Sequence, residues 1–136
     1  MIAIGEELSR WRIDSVSPDH MRRLAETLRD PNPIHLDPAA AAKLGLGDRV
    51  INQGPANLAY IINMLHSAFP GAKLLQLDAR FLANVFGGDA VEAGGRVSAI
   101  AAVDNGTRIS CDTWLNVVGR GPAVSAHAVL LIGRRA

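Results

Sequence analysis

The chain has 136 residues, 49% hydrophobic, 20% charged and 4% aromatic, with a formal net charge of +1; that length predicts one domain, residues 1–136, burying about two-thirds of its unfolded surface, and the composition excludes disordered, collagen-like and coiled-coil chains. The near-neutral charge predicts no nucleic-acid partner, and a lone cysteine can form no internal disulfide, so a reducing, cytoplasmic setting is expected. The first ten residues lack a basic stretch followed by an apolar one, and no apolar run approaches the ~18 residues of a membrane helix, which predicts neither secretion nor a membrane span.

Residues 8–16 alternate apolar with polar and predict a half-covered strand. The period then changes. Ser17-Pro18-Asp19 supplies a cap, a proline suited to the first helical position and an acid in the first turn, and Met21, Leu24, Ala25 and Leu28 follow at helical spacing, predicting a helix over 18–29. Pro31 and Pro33 prevent its continuation and predict an extended segment over 30–35. Asp37-Pro38 repeats the cap-plus-proline start for a short helix over 39–44.

Gly54-Pro55 opens a longer helix, residues 55–68, in which Leu58, Ile61, Ile62, Leu65 and Phe69 form an apolar stripe widened by Ala59, Met64 and Ala68. A helix so apolar is expected to be buried on most sides. Strands follow over 73–81, 90–103, 107–118 and 123–132, and the turns at 87–89, 104–106 and 119–121 predict antiparallel neighbours. Gly94-Gly95 reads as a strand bulge. Together these elements predict an α+β domain, an antiparallel sheet wrapped around one apolar helix.

One short constellation places acid-base groups on a stiff backbone: Asp30-Pro31-Asn32-Pro33-Ile34-His35-Leu36-Asp37. A carboxylate and an imidazole five residues apart can share a water, one taking a proton and the other returning it, which is hydration or hydrolysis chemistry. Proline, asparagine and aspartate are equally the commonest turn formers, so the residues alone leave both readings open.

This segment resembles the signature Asp-x-Asn-Pro-x-His-x-Asp of the MaoC-like, (R)-specific enoyl-CoA hydratases, matched here by Asp30, Asn32, Pro33, His35 and Asp37, with Ala42 beyond. Arg80-Phe81, Val85 and Gly88-Asp89 resemble that family's Phe-x-x-Pro-Val-x-x-Gly-Asp element, with Asn84 in place of its proline. The resemblance implies a hot-dog fold and the reversible syn addition of water to a trans-2-enoyl thioester, giving an (R)-3-hydroxyacyl thioester. It implies no metal or redox cofactor, the coenzyme A or acyl-carrier-protein thioester being the substrate. It casts Asp30 as general base and His35 as proton donor to the α-carbon, the two roles being exchangeable, and implies a homodimer or dimer of dimers.

The start of the long helix suits the developing enolate, because free N–H groups and the helix dipole favour negative charge there and Gly54 lets a ligand approach. Asn32, Gln53, Gly54 and Asn57 are therefore the expected substrate-binding residues beside Asp30 and His35. Gln53-Gly54 stands where the resembled family usually has His-Gly, and Pro55 and Asn57 replace its common Met, Leu, Ser or Thr. A partner-dependent or non-catalytic acyl-binding subunit and a hot-dog thioesterase are the alternatives.

Elsewhere the plain reading prevails. Asp37 is a helix cap, Cys111 a buried thiol, and His20, His66 and His127 lack metal-ligand spacing. Arg49, Arg80, Arg96 and Arg120 are candidate contacts to coenzyme A phosphates. Gly87-Gly88 and Gly94-Gly95 precede no helix and are not phosphate loops.

Overall fold

The N-terminal strand is shorter than its alternation predicts. In the computed structural model, which describes residues 1–135 and so leaves Ala136 of the expected domain outside, only β1 (Trp11–Ile13) pairs regularly. Trp11 faces Ala93, whereas Glu7 bridges Arg96, so the pairing slips by one residue between Glu7 and Trp11 and the strand breaks there. Ser17 is extended and its hydroxyl accepts from the His20 N–H at 3.2 Å, opening α1 (Pro18–Leu28) as predicted. The helix closes on Arg29, held left-handed at φ 50, with the Asp30 N–H bonded to the Ala25 carbonyl.

The next segment is not extended throughout. Pro33–His35 forms a single 3₁₀ turn capped by Asn32, whose side-chain oxygen accepts from the Ile34 N–H at 3.3 Å. Asn32 keeps the extended backbone that Pro33 imposes on the residue before it, and that is also the conformation of a cap, so the turn begins at Pro33 itself. Asp37 caps α2 (Pro38–Lys43) by accepting from the Ala39 N–H at 2.9 Å, as its position predicts.

The central helix, α3 (Gly54–Ala68), carries Ile61, Met64 and Leu65 fully buried among residues of the sheet. Its burial is more one-sided than the sequence suggests. Leu58, Ala59 and Ile62 are half-buried and Asn63 is exposed, because a single sheet covers one side of the helix only. That sheet is β2 (Lys73–Phe81), β3 (Val91–Val103), β4 (Gly106–Val117) and β5 (Gly121–Gly133) together with β1, antiparallel in the order β1-β3-β4-β5-β2. On β4 every second residue faces inward: Ile109, Cys111, Thr113, Leu115 and Val117 are buried, and Thr107 at the strand's start is half-buried.

Two sequence expectations change. The 87–89 turn does not join neighbours: β2 pairs with β5 at the far edge, and residues 82–90 cross over, bonding to Val16, Val50 and Ala123 on the way. Gly94-Gly95 is no bulge, the register shifting instead between Val97 and Ala99. Gly94 is required for a different reason, since a Cβ there would lie 2.5 Å from Trp114 Nε1. No helix among the described residues is long and apolar enough to cross a membrane.

Candidate active site

Asp30 is placed by the left-handed Arg29 and by its own N–H bond to Ala25, which turn the chain sharply off the end of α1. Its Oδ1 accepts from the Asn32 N–H at 3.1 Å, and its Oδ2 lies 3.4 Å from His35 Nε2. His35 itself is buried, its ring clamped from behind by the Ile51 carbonyl, 2.6 Å from Nδ1. A carbonyl only accepts, so Nδ1 carries the hydrogen and Nε2 is the atom that gives and takes a proton opposite Asp30. The 3₁₀ turn thus brings together the two groups that the sequence separates by five residues.

Asn32 holds this pair through its backbone. Its exposed side chain is engaged in capping the Ile34 N–H, so the turn-forming reading describes its geometry. Gln53 is 1% exposed and its Nε2 donates to the Met21 carbonyl of α1 at 2.8 Å, so the side chain is not offered to a ligand. Its Oε1 is fully buried without a hydrogen-bond partner. Asn57 is buried too, its Oδ1 accepting from Asn52 Nδ2 at 2.9 Å.

Gly54 is the first residue of α3. The N–H groups of Ala56 and Asn57 both bond to the Gln53 carbonyl and Pro55 has none, which leaves the Gly54 N–H unbonded at the helix start among the described residues. The close approach that glycine permits is made by Phe81: a Cβ on Gly54 would sit 3.2 Å from its ring.

Sequence reasoning missed Ile51, Asn52 and Phe81. Ile51 acts through a backbone atom, which no side-chain pattern reveals, and Phe81 meets Gly54 only because β2 lies at the far edge of the sheet. Asn52 had a signal, a second amide directly before Gln53. Its Nδ2 also donates to the Tyr60 hydroxyl at 3.3 Å, and burial raises the Tyr60 pKa against that bond. Asn52 and Tyr60 wall a cavity of about 150 Å³ between α1 and α3, with His20, Leu24 and Asn63. A more open groove of about 340 Å³ takes in Asp30, between Arg22, Glu26 and Arg29 of the α1 end and Pro31 and Leu36.

Three of the four arginines considered for phosphate have other partners. Arg49 and Arg120 both bond the buried Asp89 carboxylate, at 3.0 and 2.8 Å, and flank the Phe86 ring. Arg96 pairs with Glu7 at 2.8 Å, while Arg80 is exposed. Cys111 is fully buried, and burial and the neighbouring Asp112 raise its thiol to about 11. Among the described residues, no group of three His, Cys, Asp or Glu side chains is arranged to hold a metal.

The residue pattern of a family described as MaoC like domain matches residues 2–114. The chain belongs to this MaoC-like family. Its antiparallel sheet around a central helix is the hot-dog fold of MaoC-like hydratases. This MaoC-like chain is similar to an (R)-hydratase from A. caviae involved in PHA biosynthesis, at 27% identity and a TM-score of 0.86, covering 96% of this chain and 97% of that one. It shares its fold with a chain of the ChsH1-ChsH2 complex from Mycobacterium tuberculosis, at 20% identity and a TM-score of 0.81, covering 97% of this chain and 99% of that one. It is also 31% identical over 101 residues to a mitochondrial 3-hydroxyacyl-acyl-carrier-protein dehydratase of Arabidopsis thaliana. That match covers 74% of this chain, which spans only 58% of the relative's length.

Proposed function

We propose that this protein catalyses the reversible hydration of a trans-2-enoyl thioester to an (R)-3-hydroxyacyl thioester. The observation that carries the reading is the meeting of Asp30 Oδ2 and His35 Nε2 at 3.4 Å, with His35 Nδ1 held by a backbone carbonyl. A water bonded beside the pair to both groups loses a proton to the Asp30 carboxylate as its oxygen adds to the β-carbon. That proton passes from Asp30 to Nε2 of the neutral His35 ring, and the imidazolium Nε2–H so formed protonates the α-carbon, which returns both groups to their starting states. Each atom of water ends in the product, so the reaction as written balances without an oxidant or reductant.

As the β-carbon is attacked, the thioester oxygen gains charge. The Gly54 N–H at the positive end of α3 is the donor proposed for it, a contribution of about 3 kcal/mol in comparable sites. The groove beside Asp30 gives the thioester its approach, and Arg29 in its lining suits an anionic carrier, coenzyme A or an acyl-carrier protein, beside Glu26 and an Arg22 paired with Asp19 at 3.1 Å. Two copies are proposed to associate through the exposed apolar edge of β2, where Leu75 and Phe81 are 49% and 56% exposed.

The test is a hydration assay on crotonyl-CoA and on a medium-chain trans-2-enoyl-CoA, following loss of the conjugated absorbance. Asp30→Asn and His35→Ala are each expected to lower kcat by about 10²–10⁴-fold while the fold is kept. A folded wild-type protein that turns over neither substrate would overturn the proposal and favour the acyl-binding or partner-dependent subunit; release of free thiol would favour a thioesterase.

A further inference from the structure

The link from Ile51 to Gly54 carries two atoms of the reaction proposed above, the Ile51 carbonyl that holds His35 and the unbonded Gly54 N–H. Beyond a single antiparallel bridge between Ile51 and Phe86 the link is irregular, so no continuous ladder or helical repeat fixes the distance and angle between those atoms. Its backbone is tied at the start by the Ile51 N–H to the Ile34 carbonyl at 2.9 Å and the Asn52 N–H to the Val85 carbonyl at 2.7 Å, and at the end by the Gln53 carbonyl, which accepts from the Ala56 and Asn57 N–H groups at 3.0 and 3.2 Å. Between those ties no backbone bond restrains the Asn52–Gln53 peptide among the described residues.

Side chains supply that restraint. Asn52, buried, donates both hydrogens of its amide nitrogen into α3, to Asn57 Oδ1 at 2.9 Å and to the Tyr60 hydroxyl at 3.3 Å. The link is thereby folded back on the helix it precedes. Gln53 reaches the other way, to the Met21 carbonyl of α1, whose far end leads into Asp30. Apolar side chains would fill this space without the cost of about 1–3 kcal/mol that each unpaired buried polar group brings. A directional amide adds what packing alone does not, a fixed orientation of the peptide that bears it.

We infer that Asn52 is a positioning residue for this site: by clamping the 51–54 link to α3 it sets the Ile51 carbonyl against His35 Nδ1 and the Gly54 N–H against the thioester oxygen. It touches no reacting atom. The inference rests on the hydratase reading for its catalytic consequence, but its structural consequence, a single tautomer of His35, is measurable without turnover.

The experiment uses Asn52→Val/Asn57→Leu, in which both partners are removed together so that neither is left buried and unpaired, beside Tyr60→Phe, which removes only the weaker acceptor. Melting temperature, kcat, KM and the ring ¹⁵N shifts of His35 are measured for each. The double variant is expected to melt within about 5 °C of the parent, with kcat reduced about 10-fold or more and KM changed less than about 3-fold, as for a misplaced rather than a missing group. The His35 shifts are expected to move from a protonated Nδ1 to a mixture of tautomers. Unchanged kcat with an unchanged tautomer in the folded double variant would overturn the inference. Should the double variant not fold, Tyr60→Phe decides by the same readouts, with a smaller expected drop in kcat of about 3-fold. If the wild-type protein hydrates no enoyl thioester, the hydratase reading fails, and the His35 shifts alone decide whether Asn52 holds the link.

Discussion

His35 and Gln53 show how differently two buried polar side chains can be served. The imidazole has a carbonyl behind it and a carboxylate in front, so every nitrogen has a purpose. The Gln53 amide has a partner for its nitrogen only, and its oxygen is a buried acceptor that receives nothing. An unpaired acceptor costs about as much as one good hydrogen bond contributes, so the two ends of this side chain nearly cancel. Gln53→Leu is accordingly expected to change the free energy of unfolding by less than about 1 kcal/mol, unlike most polar-to-apolar changes at pairing sites. Urea denaturation measures this, and a loss above about 2 kcal/mol would mean that the bond to Met21 dominates.

Elements are joined in this fold by short polar clamps as well as by the core. Asp89 is the clearest: buried behind the Gly87-Gly88 turn, it accepts from the Phe86 N–H and binds Arg49 from the segment before α3 and Arg120 from the β4–β5 turn. Burial alone raises its pKa, but the bond from Arg120, the Phe86 N–H and the two positive charges outweigh that and hold it below its ordinary value of 3.8. A carboxylate whose pKa is lowered by folding adds stability that is fully present above that ordinary value and is lost as the pH falls through the folded-state value. Asp89→Asn is therefore expected to destabilise at neutral pH by about 2 kcal/mol, less than the ~3–5 kcal/mol of a fully buried pair because both arginines are half exposed. The variant should also lose less stability than the parent between about pH 4 and pH 2. Chemical denaturation at stepped pH checks both; parallel curves would show that Asp89 does not titrate with unfolding.

At the scale of the molecule, β2 is the odd strand. It lies at the sheet edge and exposes Leu75 and Phe81, with Leu82 exposed just beyond its end, an apolar margin of the kind that unpaired edge strands blunt with charge. Burying such a margin against a second copy is the proposed remedy. Leu75→Lys places a charge in it and is expected to shift the protein from dimer toward monomer in sedimentation, with a fall in thermal stability that depends on protein concentration. A parent that sediments as a monomer would rule out the β2 pairing.

Local chemistry determined much of this protein directly from its residues. The cap-plus-proline starts of α1 and α2, the apolar repeat of α3 and the alternation of β4 each reflect the backbone and burial preferences of a few neighbouring side chains, and each is found where those preferences put it. The spacing of Asp30 and His35 was equally legible as a candidate pair. What depended on distant partners was not. The place of β2 beside β5, the slip in β1 and the absence of a bulge at Gly94-Gly95 follow from pairings across the sheet that no local pattern encodes. The same holds within the site: Asn32, Gln53 and Asn57 were read as groups facing a substrate, yet each has a protein partner for a side-chain polar atom, set by how α1, α3 and the link between them pack. A residue type states which bonds a side chain can make, and only the tertiary structure decides which neighbour is close enough to make them.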